Sequence, residues 1–114
     1  MAEHSFADDF KRMVSSLAVL ALLRKKPMYG YELSQQMNIR GKGKLNVSVL
    51  YSILYRLERQ GYIYISDTVV ENGRARSYYS VTPAGKDYLA QTEAEYREMF
   101  DIILSLFDED KEDA

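Results

Sequence analysis

The residues able to do chemistry fall into two groups, and one is nearly empty. The sequence has no cysteine and a single histidine, His4, so thiolate nucleophiles, disulfides and histidine acid–base pairs have almost nothing to work with. No nucleophile, metal or phosphate-loop signature is present, and neither an enzyme nor a cofactor is expected. The second group is well stocked. Asn46, Ser48, Val49, Tyr51, Ser52, Tyr55, Arg56 and Arg59 stand close together, and Arg74 and Arg76 follow. Ser hydroxyls donate or accept at base edges and phosphates, a Val methyl can meet the thymine methyl, and Tyr hydroxyls and Arg guanidiniums reach phosphate oxygens. Such a set suits double-stranded DNA.

These side chains can act together only if one element presents them. Asn46 is a good N-cap, and at 100° per residue a helix from there to Gly61 turns Leu50, Leu54 and Leu57 inward. The opposite side then carries Ser48, Val49, Ser52, Tyr55, Arg56 and Arg59, with Tyr51 on the flank. Base contacts fall to Ser48, Val49 and Ser52, because the N-terminal end of a recognition helix enters the major groove, and Arg56 and Arg59 fall to the backbone. Tyr51 and Tyr55 have two readings: contact with DNA, or packing on the first helix or the hairpin. Arg74 and Arg76 follow Asn72-Gly73, the strongest short hairpin signal, between the β-type runs 62–70 and 77–81. That places them at a hairpin tip, beside phosphates or a minor groove. Lys42 and Lys44, in a loop broken by two glycines, read as solvated charges that add to salt-dependent attraction.

The remaining elements follow from periodicity and punctuation. Ser5 caps a helix over about 6–25 that Pro27 stops. A short helix over 31–38 places Leu33 and Met37 on one face, and Thr82-Pro83 opens a helix to about Phe107. The apolar stretch 13–23 is too short to span a bilayer and is flanked by the wrong charges for a secretory leader, so it reads as a buried helix of a cytoplasmic protein. The order α-α-α-β-β-α defines a mainly α (α+β) fold, the winged helix-turn-helix with a long C-terminal helix. Residues 1–82 form the winged unit, 83–107 the C-terminal dimerisation helix, and 108–114 a disordered acidic tail.

The formal net charge of -2 counts against a nucleic-acid partner until it is divided. Residues 24–76 hold ten cations, among them Arg24, Lys25 and Lys26 in the last turn of the first helix, against Glu32, Glu58, Asp67 and Glu71, for +6. Residues 77–114 carry -7 and residues 1–23 carry -1. The basic share coincides with the turn motif and the hairpin, where charge asymmetry points to a nucleic-acid surface.

The last helix is too long for its domain. Leu89, Thr92, Tyr96, Met99, Ile103 and Leu106 form an a/d heptad series widened by Phe100, Ile102 and Phe107. A helix of about 25 residues reaches roughly 37 Å, beyond what a domain of this size covers. A second copy is the expected partner. Leu89, Met99, Ile103 and Leu106 would join Phe10, Val14 and Leu17 of the first helix in a homodimer interface. The alternative is that the last helix folds back on the first within one chain.

Met28-Tyr-Gly-Tyr-Glu-Leu33, Leu54-Tyr-Arg-Leu-Glu58, Gly61-Tyr-Ile63, Gly73-Arg-Ala-Arg76, Tyr78-Tyr79 and Thr82-Pro-Ala-Gly85, occurring in this order, resemble the PadR family of transcriptional regulators, in its short form with one C-terminal helix. The resemblance covers roughly residues 13–107 and implies a homodimeric winged-helix repressor on an inverted-repeat operator, released by a small aromatic or drug-like effector. Where many members open the recognition helix with Ser-Pro-Gly-Thr-Leu-Tyr-Pro, this chain has Asn46-Val-Ser-Val-Leu-Tyr-Ser52, which keeps the cap and changes the base-facing positions. Short members commonly place a Trp of the last helix in a ligand cavity at the dimer interface. The matching residue is Tyr96, near Phe100, lining either such a cavity or a packed dimer core. A protein-interaction module built on the same fold, without specific DNA binding, is the alternative function.

Overall fold

The computed structural model describes residues 5–113, with side chains to Glu109; His4 lies outside them. Helix α1 (Phe6–Lys25) is followed by a two-residue strand β1 (Met28–Tyr29), helix α2 (Gly30–Arg40), a single 3-10 turn (Val47–Val49), helix α3 (Leu50–Arg59), strands β2 (Ile63–Glu71) and β3 (Arg74–Val81), and helix α4 (Pro83–Asp113). The expected caps operate. Asp8 N donates to Ser5 Oγ at 3.1 Å, and Thr82 Oγ1 accepts from Gly85 N at 3.0 Å while donating to the Gly61 carbonyl at 2.6 Å. Thr82 thereby ties the start of α4 to the end of α3.

The core is one cluster. Val19, Leu20 and Leu23 from α1, Leu33 and Met37 from α2, and Leu50, Ile53, Leu54 and Leu57 from α3 meet Ile63 and Val81 of the sheet. Every one of the α3 positions is an i, i+3 or i+4 neighbour of another, which is why a single face of the helix closes on the core. The opposite face stays free for another purpose.

The sheet has three strands where the sequence suggests two, in the order β1-β3-β2 and antiparallel throughout. Met28 pairs with Tyr79 and Tyr29 with Tyr78. No periodicity can announce a two-residue strand, because its partner lies some fifty positions further along the chain. The hairpin turn is tight. Only Asn72 and Gly73 separate the strands, both with positive φ (51° and 76°), the backbone of a type I′ turn that Asn-Gly adopts at small cost. A bulge at Ser66 shifts the register between Ile65↔Tyr79 and Asp67↔Tyr78. Past it, Asp67, Val69 and Glu71 share the face of Tyr78, Arg76 and Arg74, opposite the face that Tyr79 and Val81 turn to the core.

Helix α4 continues beyond Phe107 through Asp113, so the segment expected as a disordered tail is helical backbone as far as the described residues extend. No Gly or Pro interrupts residues 108–113, and Glu and Lys are good helix formers. At 31 residues the helix is about 46 Å long, and it gives the molecule a longest dimension of 64 Å against 33 and 28 Å across.

Candidate nucleic-acid interface

Asn46 opens the interface as a cap. Its Oδ1 accepts from Ser48 N at 3.1 Å and from Ser48 Oγ at 2.6 Å, so the two residues fix the start of the 3-10 turn that leads into α3. Ser48 stays exposed, and its hydroxyl keeps its acceptor lone pairs. Val49 is half-buried against the core, which corrects its place among the base-facing residues. Val49 immediately precedes Leu50, and at 100° per residue it stands on the flank of the core face rather than opposite it.

Beyond the turn, Ser52, Tyr55 and Arg59 form an exposed ridge opposite Leu50, Ile53, Leu54 and Leu57. Arg59 lies 5.7 Å from the Tyr55 ring centroid, with its Nη1 at 3.3 Å from the Tyr55 hydroxyl, so the two present a guanidinium and a phenol side by side. Tyr51, 70% exposed, lies across the first turn of α2. A Cβ on Gly30 would come within 2.6 Å of the Tyr51 hydroxyl, so the Tyr51 ring lies directly against the start of α2.

Arg56 is placed differently from the sequence expectation. Its Nη2 donates to Ser16 Oγ on α1, so one of its donors is turned to α1 while the side chain stays exposed and borders a surface pocket with Tyr55 and Arg59. A helical wheel run on α3 alone has no means of seeing α1.

The wing divides its arginines in the same way. Arg76 is held by Glu71, with Nη1 at 2.7 Å from Oε2, and its guanidinium lies 4.9 Å from the Tyr29 ring centroid. Tyr29 in turn meets Tyr78 edge-on at 5.3 Å. Arg74, beside the turn, is exposed and has no ion-pair partner among the described residues. The sequence reading passed over Tyr29, whose role depends on the pairing of β1 with β3. Partial burial, with Glu32 and Tyr29 close by, pushes the Tyr78 phenol up; burial, with Glu58 and Tyr51, does the same for Tyr79. Both phenols are therefore neutral at physiological pH. Lys42, with φ 54°, and Lys44 are exposed in the loop before Asn46.

The residues assigned to a dimer interface and effector site also separate. Leu89, 5% exposed, belongs to the core of its own chain, which corrects its assignment to a dimer surface. Phe10 packs edge-on against Phe100 at 5.9 Å, and Tyr96 lies over Phe100 at 4.4 Å, all within one chain. Met99, Ile103 and Leu106 are exposed, Met99 by 63%. Val14, Leu17, Leu89 and Tyr96 line an open cleft of about 450 Å³ between α1 and α4, and Arg24, Glu93 and Arg97 stand at its edge. Glu93 takes Arg97 Nε at 3.0 Å and Arg24 Nη1 at 3.8 Å. No helix among the described residues is long and apolar enough to cross a membrane, and no cluster of His, Cys, Asp or Glu there suits a metal.

A three-helix core, an α3 whose outer face is polar and which follows a capped 3-10 turn, and a hairpin with two arginines beside its turn make the winged-helix architecture of DNA-binding regulators. The chain belongs to the PadR-like family of transcriptional regulators, a family of regulators rather than enzymes, whose model matches residues 19–91. It is 32% identical over 83 residues to a transcriptional regulator of Mycobacterium tuberculosis, covering 73% of this chain and 76% of that protein. It is 35% identical over 87 residues to an uncharacterized protein of Lysinibacillus sphaericus, covering 75% and 80%. Among solved structures, a PadR family regulator of Eggerthella lenta superposes with a TM-score of 0.78 at 28% identity, covering 88% of this chain and 87% of that one. A transcriptional regulator of Clostridium thermocellum gives 0.73 at 30% identity, covering 90% and 97%.

Proposed function

We propose that the chain acts as a homodimeric repressor that binds an inverted-repeat operator in double-stranded DNA and is released by a small aromatic ligand. The observation that carries DNA binding is the exposed ridge of Ser52, Tyr55 and Arg59 on α3, beside Arg74 of the wing, within a segment of charge +6. Ser52, nearest the start of the helix, is suited to base edges, and Arg59 and Arg74 to phosphates. Dimerisation is supported by the exposed Met99, Ile102, Ile103, Leu106 and Phe107 on the far half of α4, with Phe6 of α1 close by through Phe10 and Phe100, since apolar patches of this kind mark association surfaces. Two-fold symmetry in the protein then matches two-fold symmetry in the operator. The cleft between α1 and α4, with Tyr96 in its wall and Arg24 and Arg97 at its edge, suits a flat ligand that stacks on the phenol ring.

The test is a duplex selected from a random pool by the purified protein, its affinity then measured by fluorescence anisotropy across a salt series. The expected result is a palindromic selected sequence and a log–log slope matching several neutralised phosphates. A pool with no enriched sequence and no salt-dependent binding would overturn the reading in favour of a protein-interaction module. Reporter expression with and without the gene fixes the sign of regulation.

A further inference from the structure

Arg56 sits where α3 crosses α1. Round the helix it is roughly 60° from Arg59, and its guanidinium donates to Ser16 of α1. Close to this bond the two helices are not packed side chain against side chain. Asp9, Arg12, Met13 and Ser16 of α1, Arg56 and Leu57 of α3, Gln60 just past its end, and Tyr88 of α4 line a cleft of about 400 Å³. At the same crossing, Val19, Leu20 and Leu23 share one buried apolar cluster with Leu50, Ile53 and Leu54. One part of the crossing is therefore set by apolar packing, and among the described residues the bond from Arg56 to Ser16 is the one side-chain hydrogen bond that joins the two helices. Helix α1 continues from there to α4, where Phe10 rests on Phe100. Ser16 thus stands on the helix that joins the recognition surface to α4.

We propose that Arg56 is a positioning residue: through Ser16 it fixes the angle of α3 on α1, and with it the separation of the two recognition helices in the dimer, and it does not contact phosphate. This rests on the dimeric DNA-binding reading above. Ser16 engages one of the five N–H donors of this guanidinium and draws the group toward α1, while Arg59 holds the outward position on the ridge. Held there, Arg56 adds to the basic count of the segment without adding to the ions released on binding.

The experiment measures operator affinity for the full chain, Arg56→Ala, Ser16→Ala and the double variant, across a salt series and on operators whose half-site spacing is one base pair shorter, native or longer. Each single variant is expected to lose about fivefold on the native spacing. The double variant should lose no more than either alone, because both remove the same bond. Salt slopes should stay at the wild-type value, while the preference for native spacing flattens. Ser16→Thr, which keeps the hydroxyl, should restore that preference. A salt slope reduced by about one in Arg56→Ala with Ser16→Ala silent would make Arg56 a phosphate contact and overturn the inference. So would a lowered melting temperature with spacing preference intact, which a merely structural bond would give. If the wild-type chain shows no salt-dependent binding, the proposed function itself fails and takes this inference with it; the other two outcomes leave that function standing.

Discussion

Helix α4 contains two regions with similar composition and opposite surroundings. In its first half, Leu89 is buried in the chain's own core and Tyr96 is half-buried, and at the middle of the helix Phe100 is half-buried against Phe10 of α1. In its second half, Ile103 and Leu106 have the same apolar character and heptad spacing, yet are 41% and 52% exposed. The wing repeats the contrast in charge: Arg76 is occupied by Glu71 and Tyr29, and Arg74 is free to meet a partner. A side chain's type says what it can bind. Whether its own chain already binds it decides what remains for another molecule.

The largest expected effect tests the open half of α4. The double substitution Ile103→Glu with Leu106→Glu puts charge on a face that the proposed dimer buries, and burying an unpaired carboxylate is costly. Light scattering should find a monomer at micromolar concentration where the wild-type chain is a dimer. Operator affinity should fall by roughly 10²–10⁴-fold as the two half-sites cease to be bound as one unit. Far-UV circular dichroism should be unchanged, because neither residue packs in the core. A variant that stays dimeric would erase the distinction between the two halves.

Leu89→Ala tests the closed half. Removing a buried Leu should cost about 2–5 kcal/mol of unfolding free energy, read by urea denaturation under conditions that hold the oligomeric state fixed. At 25 °C, on a monomeric background carrying the α4 substitutions, the same loss should persist, since Leu89 packs within its own chain. A loss that vanishes in the monomer would return Leu89 to the interface.

Most of the fold was legible because its signals are local. The capped helices, the Asn72-Gly73 hairpin and the Thr82-Pro83 helix start each depend on a few neighbouring residues. The heptad spacing of α4 was legible as well, but periodicity shows only that residues share a face, and Leu89 and Ile103 share one while differing in what covers them. Strand β1, the tie from Arg56 to Ser16 and the hold of Tyr29 on Arg76 were not legible. Each joins residues some forty or more positions apart and exists only once the core has closed. Val49 illustrates a finer limit: it stands on the flank of the core face of α3, and only the closed core decides that it is half-buried rather than free.

The two wing arginines sharpen the same contrast at smaller scale. Arg74→Ala should reduce the slope of log affinity against log salt by about one, the signature of one lost phosphate contact, with little change in melting temperature. Arg76→Ala should lower the melting temperature slightly, since exposed ion pairs contribute about 0–1 kcal/mol, and leave the slope nearer its wild-type value. Equal slope changes in the two variants would mean that DNA draws Arg76 away from Glu71.

The smallest effect concerns a phenol that is partly closed in. Burial, with Glu58 and Tyr51 close by, pushes Tyr79 above the ordinary phenol range near 10. In the unfolded chain the group regains its ordinary value, so between the two values the unfolded state releases a proton that the folded state keeps. The stability this represents is fully present below pH about 10 and is lost as pH rises through the folded value. Urea midpoints measured between pH 8 and 11 should decline at the alkaline end, and Tyr79→Phe, which has no proton to release, should decline less steeply. Parallel curves for the two proteins would show that the alkaline loss arises elsewhere and that Tyr79 behaves as an open residue despite its packing against the core.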